Sequence, residues 1–193
     1  TAVNNTTLPV TATITVSTAS NNCPGTSKTF TITVNPTAIV DEPSNQILCN
    51  AATTTAINFT GNVSGTNYSW TNSNTSIGLA ATGTGNIPVF TAINNTSMPV
   101  TATITVTADA SGCPGASKTF TITVDPTPDV VQPRDQVLCN AATVAAINFS
   151  GSVSNTVYTW TNNNTSIGLA ANGTGDIASF TASNNTTAPL TAT

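Results

Sequence analysis

The sequence repeats itself at a spacing of 90 residues, and that period constrains everything else. Thr1 opens TAVNNTTLPVTATITV, Thr91 opens TAINNTSMPVTATITV and Thr181 opens TASNNTTAPLTAT. QILCNAAT from Gln46 returns as QVLCNAAT from Gln136, and CPGTSKTFTITVNP from Cys23 returns as CPGASKTFTITVDP from Cys113. Between 37–103 and 127–193 about two-thirds of positions are identical without a gap. A unit of this length has the size of a domain, not of a solenoid repeat. Asn35-Pro36 and Asp125-Pro126 each follow a TFTITV run that proline cannot continue. The expected division is therefore the C-terminal part of one repeat at 1–36, a complete repeat at 37–126 and the N-terminal part of another at 127–193.

Within a repeat the hydrophobic period is two, the pattern of half-buried strands. In TATITVT, Ala102, Ile104 and Val106 share one face and Thr101, Thr103, Thr105 and Thr107 the other. In KTFTITV, Phe120, Ile122 and Val124 alternate with Thr119, Thr121 and Thr123. β-Branched residues suit the pleat, and Gly and Asn clusters such as TGTGN and SGCPG punctuate the runs. Strands are expected up to Leu48 and over 55–61, 67–72, 86–93, 99–108 and 117–125, with a short further piece at Ile77-Gly78-Leu79. Six to eight short strands in one repeat read as an all-β, immunoglobulin-like Greek-key sandwich. Phe59, Trp70, Ile104, Phe120 and Ile122 are the expected core, with Trp160 the counterpart of Trp70. Ile87 and Val89 fall on one face of NIPVFT and Phe90 on the other; the alternation does not say which is inward.

Charge excludes several functions. Lys and Arg number three against seven acids, a net charge of −4, so there is no basic patch for nucleic acid or an anionic membrane surface. No apolar run approaches the ~18 residues of a membrane span. Histidine is absent and the acids at Asp41, Glu42 and Asp135 do not recur in both repeats. No nucleophile–base pair, carboxylate pair or cofactor cradle is visible, so an enzyme, a bound cofactor and a catalytic metal are not expected. Asp109, Asp125, Asp129 and Asp135 could offer oxygens to calcium, but no spacing forms a calcium loop. The 42 threonines give a polar, uncharged surface that suits the outside of a cell; their outward rows could bind a ligand such as carbohydrate or simply fill exposed strand faces.

Each repeat carries two cysteines: Cys23 and Cys113 at one position, Cys49 and Cys139 at the other. An even count without histidine points to disulfides and not to zinc. Three states stay open: a Cys49–Cys113 bond inside one domain, a bond between neighbouring domains, or free thiols. In each bonded case Cys23 and Cys139 would pair with cysteines outside these 193 residues.

DQVLCN from Asp135, INFSG from Ile147, YTW from Tyr158, NTSIGLAANGTG from Asn164 and GCPGASKTFTITVDP from Gly112 together resemble the PKD-like and immunoglobulin-like repeats of giant surface proteins in Bacteroidota. Such repeats are similar to those of gliding adhesins and other secreted filaments, exported by type IX secretion. The WDFGDG segment of strict PKD domains is missing; TNSNTS follows Trp70. The resemblance covers essentially the whole chain and carries no catalytic residues. It implies an extracellular stalk, filament or adhesin whose partners are neighbouring repeats of one long polypeptide or identical chains in a filament, the alternative being a ligand- or carbohydrate-binding adhesive module. Because 1–13 and 181–193 duplicate one strand position, a continuous polypeptide is expected over subunits that exchange strands.

Overall fold

A computed structural model describes residues 1–193. The strands are β1 (Val10–Ser20), β2 (Cys23–Val34), β3 (Gln46–Cys49), β4 (Asn67–Asn72), β5 (Thr82–Thr84), β6 (Val100–Ala110), β7 (Cys113–Pro114), β8 (Lys118–Asp125), β9 (Thr143–Val144), β10 (Thr159–Thr161), β11 (Asn172–Thr174) and β12 (Phe180–Thr181). They fall into two compact units, one of Thr1–Asn95 and Pro99–Asp125, the other of Thr96–Met98 and Pro126–Thr193.

The first unit contains an immunoglobulin-like sandwich. One layer has the order β3-β8-β6-β4-β5, with β7 continuing the β6 edge. The period-two runs of β6 and β8 pair antiparallel from Val100↔Val124 to Val106↔Lys118, and β3 joins β8 in parallel through Gln46↔Ile122 to Cys49↔Asp125. The facing layer is less regular. Its two segments meet at the bridges Thr53↔Thr91 and Ile57↔Ile87, with Thr54 N–H donating to Phe90 O and Ala92 N–H to Ala52 O. Between the layers lie Phe59, Trp70, Ile104, Phe120 and Ile122, all buried together with Ile57, Ile77, Ile87 and Val106. Phe59 packs its ring 6.4 Å from Phe120 and 5.7 Å from Tyr68.

Three local details differ from the period-two reading. Residues 77–79 are not a strand: Thr75–Ile77 is a 3-10 turn whose Asn74 side chain accepts from Ser76 N–H, and Ile77 and Leu79 plug the core from it. Over 86–93 the alternation breaks, because Ile87 and Ala92 are buried, Phe90 is half-buried and Val89 is exposed. The glycine-rich TGTG is a short strand, β5, and not only a turn. Gly83 sits opposite Trp70 in the ladder, and a Cβ there would lie 2.1 Å from the indole Cζ2. The ring therefore covers β5 only because position 83 has no side chain.

The second unit repeats the pattern with β9 against β12, β10 against β11, the Ile147↔Ile177 bridge and Trp160 opposite Gly173. Its Phe149, Trp160 and Ile167 are only half-buried, since in this unit only Leu190–Thr193 stand at the start of the β6 position and no residues stand at the rest of it or at that of β8. Gln136–Cys139 has no strand partner there.

The hairpin β1–β2 copies the register of β6–β8, Val10↔Val34 answering Val100↔Val124. Its apolar face is open. Ile14, Val16, Phe30 and Ile32 are 36, 51, 52 and 50% exposed, against 0, 0, 3 and 0% for Ile104, Val106, Phe120 and Ile122.

Candidate functional site

Two features of the first unit could carry function: its threonine face and its two ends. On the face, cross-strand hydroxyls pair directly. Thr101 and Thr123 hydroxyl oxygens are 2.8 Å apart, and those of Thr107 and Ser117 are 2.7 Å apart. The hydroxyls satisfy one another, which leaves fewer of them to grip a ligand. A depression of about 370 Å³ lies over the Trp70–Gly83 contact, rimmed by Ser69, Thr71, Thr82, Thr84, Thr105 and Thr107. Trp70 forms part of its floor but is only 6% exposed, and Phe59 and Phe120 are buried and Tyr68 half-buried, which leaves little ring face on which a sugar could stack.

The ends are built from the cysteine-bearing segments. Cys113 follows a two-residue turn in which Ser111 and Gly112 both have positive φ, as a tight hairpin matching strand twist requires. Cys23 follows the equivalent Asn21-Asn22 turn, again with positive φ at both residues. Cys49 ends β3, beside Asp125 at the opposite end of the sheet.

That placement corrects the Cys49–Cys113 bond. Cys49 lies level with the Val100 end of β6 and Cys113 opposite Ala110. The length of β6 separates them, roughly 30 Å at ~3.3 Å per residue, whereas a disulfide needs Cα atoms within about 7 Å. All four thiols are free; Cys23, Cys49 and Cys139 are exposed and Cys113 is half-buried. The immunoglobulin-like topology expected from the sequence already puts the two cysteines at opposite ends of one domain, and the strand order places them there.

The junction before the complete sandwich is tight. Asn35 donates its side-chain amide to Ser111 O at 3.4 Å, and Pro36 and Ala38 are already buried. Gly115 of the CPG motif admits the carbonyl of Ala38 where a Cβ would otherwise stand, 1.8 Å away. Thus Val34 ends β2 and the next sandwich begins within a few residues.

The acids are local. Asp109 accepts from Gly112 N–H within its own turn, and Asp41 accepts from the Thr60 hydroxyl. Glu42 pairs with Lys118 at 3.3 Å on the surface, an arrangement that contributes little. Asp129 accepts from both the backbone N–H and the hydroxyl of Ser152, which hold its carboxyl below the ordinary range. Burial, and then the nearby Asp41 carboxylate, push the Tyr68 phenol up.

Residues 46–128 match the family model of the PKD-like domain. The matched stretch begins at the first residue of β3 and runs past β8 to Pro128. It takes in every strand of the sheet that buries Trp70, so the immunoglobulin-like fold and the family agree on the same residues. No curated protein matches the chain. No helix is long and apolar enough to cross a membrane.

Proposed function

We propose that this chain is a segment of an extracellular array of PKD-like domains that acts as a semi-rigid stalk, filament or adhesin shaft. The boundaries of the array are 1–36, 37–126 and 127–193, and the cell-surface setting is part of the proposal. The observation that carries it is the junction at Asn35-Pro36, where the linker side chain bonds the next sandwich and the proline is buried. A joint without slack transmits force and direction, which a Gly/Ser linker would not. The absence of histidine from the sequence and the local engagement of the acids favour a non-catalytic module. Each repeat contributes roughly 35–45 Å, since the 11 residues of β6 span about 36 Å.

Single-molecule stretching of the chain tests the load-bearing role. The complete repeat should give one unfolding event that lengthens the molecule by about 28 nm, its 90 residues at ~3.5 Å each less the folded length. Gradual extension without a discrete event would contradict a mechanical role.

A further inference from the structure

We infer that Cys113 is a covalent tie between successive repeats: its thiol forms a disulfide with the cysteine that holds the Cys49 position in the repeat before it. The inference rests on the continuous array proposed above. It concerns the junction at Asn35-Pro36, which lies inside the first unit.

One residue position, seen twice, brings the two thiols together. In the complete repeat Asp125 closes β8. It is the ladder partner of Cys49, and its carbonyl accepts from Asn50 N–H at 2.8 Å. A residue at this position stands one strand spacing, about 5 Å, from the thiol-bearing end of β3. Asn35 holds the same position 90 residues earlier. It directly follows β2, which has the sequence of β8 and pairs with β1 in the register of β8 with β6. Asn35 also faces forward, because its side-chain amide donates to Ser111 O at 3.4 Å, two residues before Cys113. Three residues on, the carbonyl of Ala38 fills the space left by Gly115, two residues after Cys113. The entering chain thus touches the turn on both sides of Cys113 and carries the preceding β3 end toward it.

The thiols themselves fit this pairing. The two positions mark opposite ends of one sandwich, so neither reaches a partner in its own repeat. Cys49 is exposed, Cys113 is half-buried, and both are free thiols. Each period carries one cysteine of each kind, so one bond per junction uses every thiol once. The bond forms by thiol–disulfide exchange: two thiols lose two protons and two electrons, one S–S bond forms, and a small-molecule disulfide oxidant is reduced to two thiols. Under load the bond takes the force, and the residues enclosed between the linked cysteines stay unstretched.

The test extends the chain before Thr1 by a copy of residues 37–90, which completes the repeat that 1–36 closes. The extended chain also carries Cys49→Ser, so that the added cysteine is distinguishable in a digest. Incubated with oxidised glutathione, it should stay monomeric on a non-reducing gel. Peptide mass spectrometry should find the added cysteine joined to Cys113, with Cys23 and Cys139 linked to no peptide. Cys113→Ser should remove the joined peptide. A link from the added cysteine to Cys23, covalent dimers, or Cys113 recovered only as thiol or glutathione adduct overturns the inference. Stretching the same chain by its ends separates the tie from the array. Reduced, the repeat 37–126 should unfold with an event of about 28 nm; oxidised, only residues 114–126 can extend, about 4.5 nm at ~3.5 Å per residue. Long events in both states overturn the tie and leave the load-bearing array standing. No discrete event in the reduced chain overturns the array, and the tie falls with it.

Discussion

Trp70 and Gly83 should behave as one unit when mutated together. Burial of a tryptophan removes about 150–250 Å² from water, or roughly 4–6 kcal/mol at ~25 cal/mol per Å². Trp70 is only 6% exposed, but its Nε1 is buried without a partner. Deleting the ring also deletes that unmet donor, a relief of about 1–3 kcal/mol. Trp70→Ala should therefore cost about 3 kcal/mol, at the low end for such truncations. Gly83→Ala alone places a methyl 2.1 Å from the indole and forces the ring to move, at about 1–3 kcal/mol. With Trp70 already alanine, the same Gly83→Ala change should be neutral or favourable, since alanine orders more easily in a strand than glycine. The double mutant should be more stable than the sum of the singles by about 2 kcal/mol, read from urea unfolding followed by far-UV circular dichroism. Additivity within ~0.5 kcal/mol would show that the indole does not lie across β5.

Other changes act at single points. Ala51 holds φ of 66°, so Ala51→Gly should stabilise the complete repeat by about 0.5–1 kcal/mol in the same assay; destabilisation would contradict that backbone. Trp70→Phe should cost less than Trp70→Ala because it keeps an aromatic ring and removes the unpartnered N–H. Asp129 is held low by Ser152, so its contribution is present above the ordinary aspartate range and is lost as pH falls through the lowered pKa. Ser152→Ala should move its carboxyl titration upward by NMR, part-way because the backbone N–H remains. Tyr68 titrates above the ordinary phenol range, so its contribution is intact below that range and is lost as pH rises through the raised value. Phenolate absorbance should shift to lower pH in Asp41→Asn, and only slightly, since burial is the larger cause.

The regular half of the fold was legible because its physics is local. In β6 and β8 every second residue is apolar, Val, Ile and Phe interleaved with Ala, and one face must be buried. The facing layer was less legible. Over 55–61 and 86–93 only isolated bridges form, and core contact is made by Ile57, Ile87 and Ala92 at uneven spacing. TGTG looks like a turn to any propensity argument; its strand is held by the ring of a residue 13 positions earlier. The ends of the repeat required topology. Parallel pairing of β3 with β8, which alternation cannot reveal, sends Cys49 to the end opposite Cys113.

The proposed shaft requires repeats to stack along their strands into a rod. X-ray diffraction from oriented fibres of the protein tests it most directly, because the hydrogen-bond spacing of ~4.8 Å points across the strands. A rod of end-to-end sandwiches places that reflection on the equator, with meridional orders of a period near 40 Å. A 4.8 Å reflection on the meridian, with strands lying across the fibre, would contradict the account.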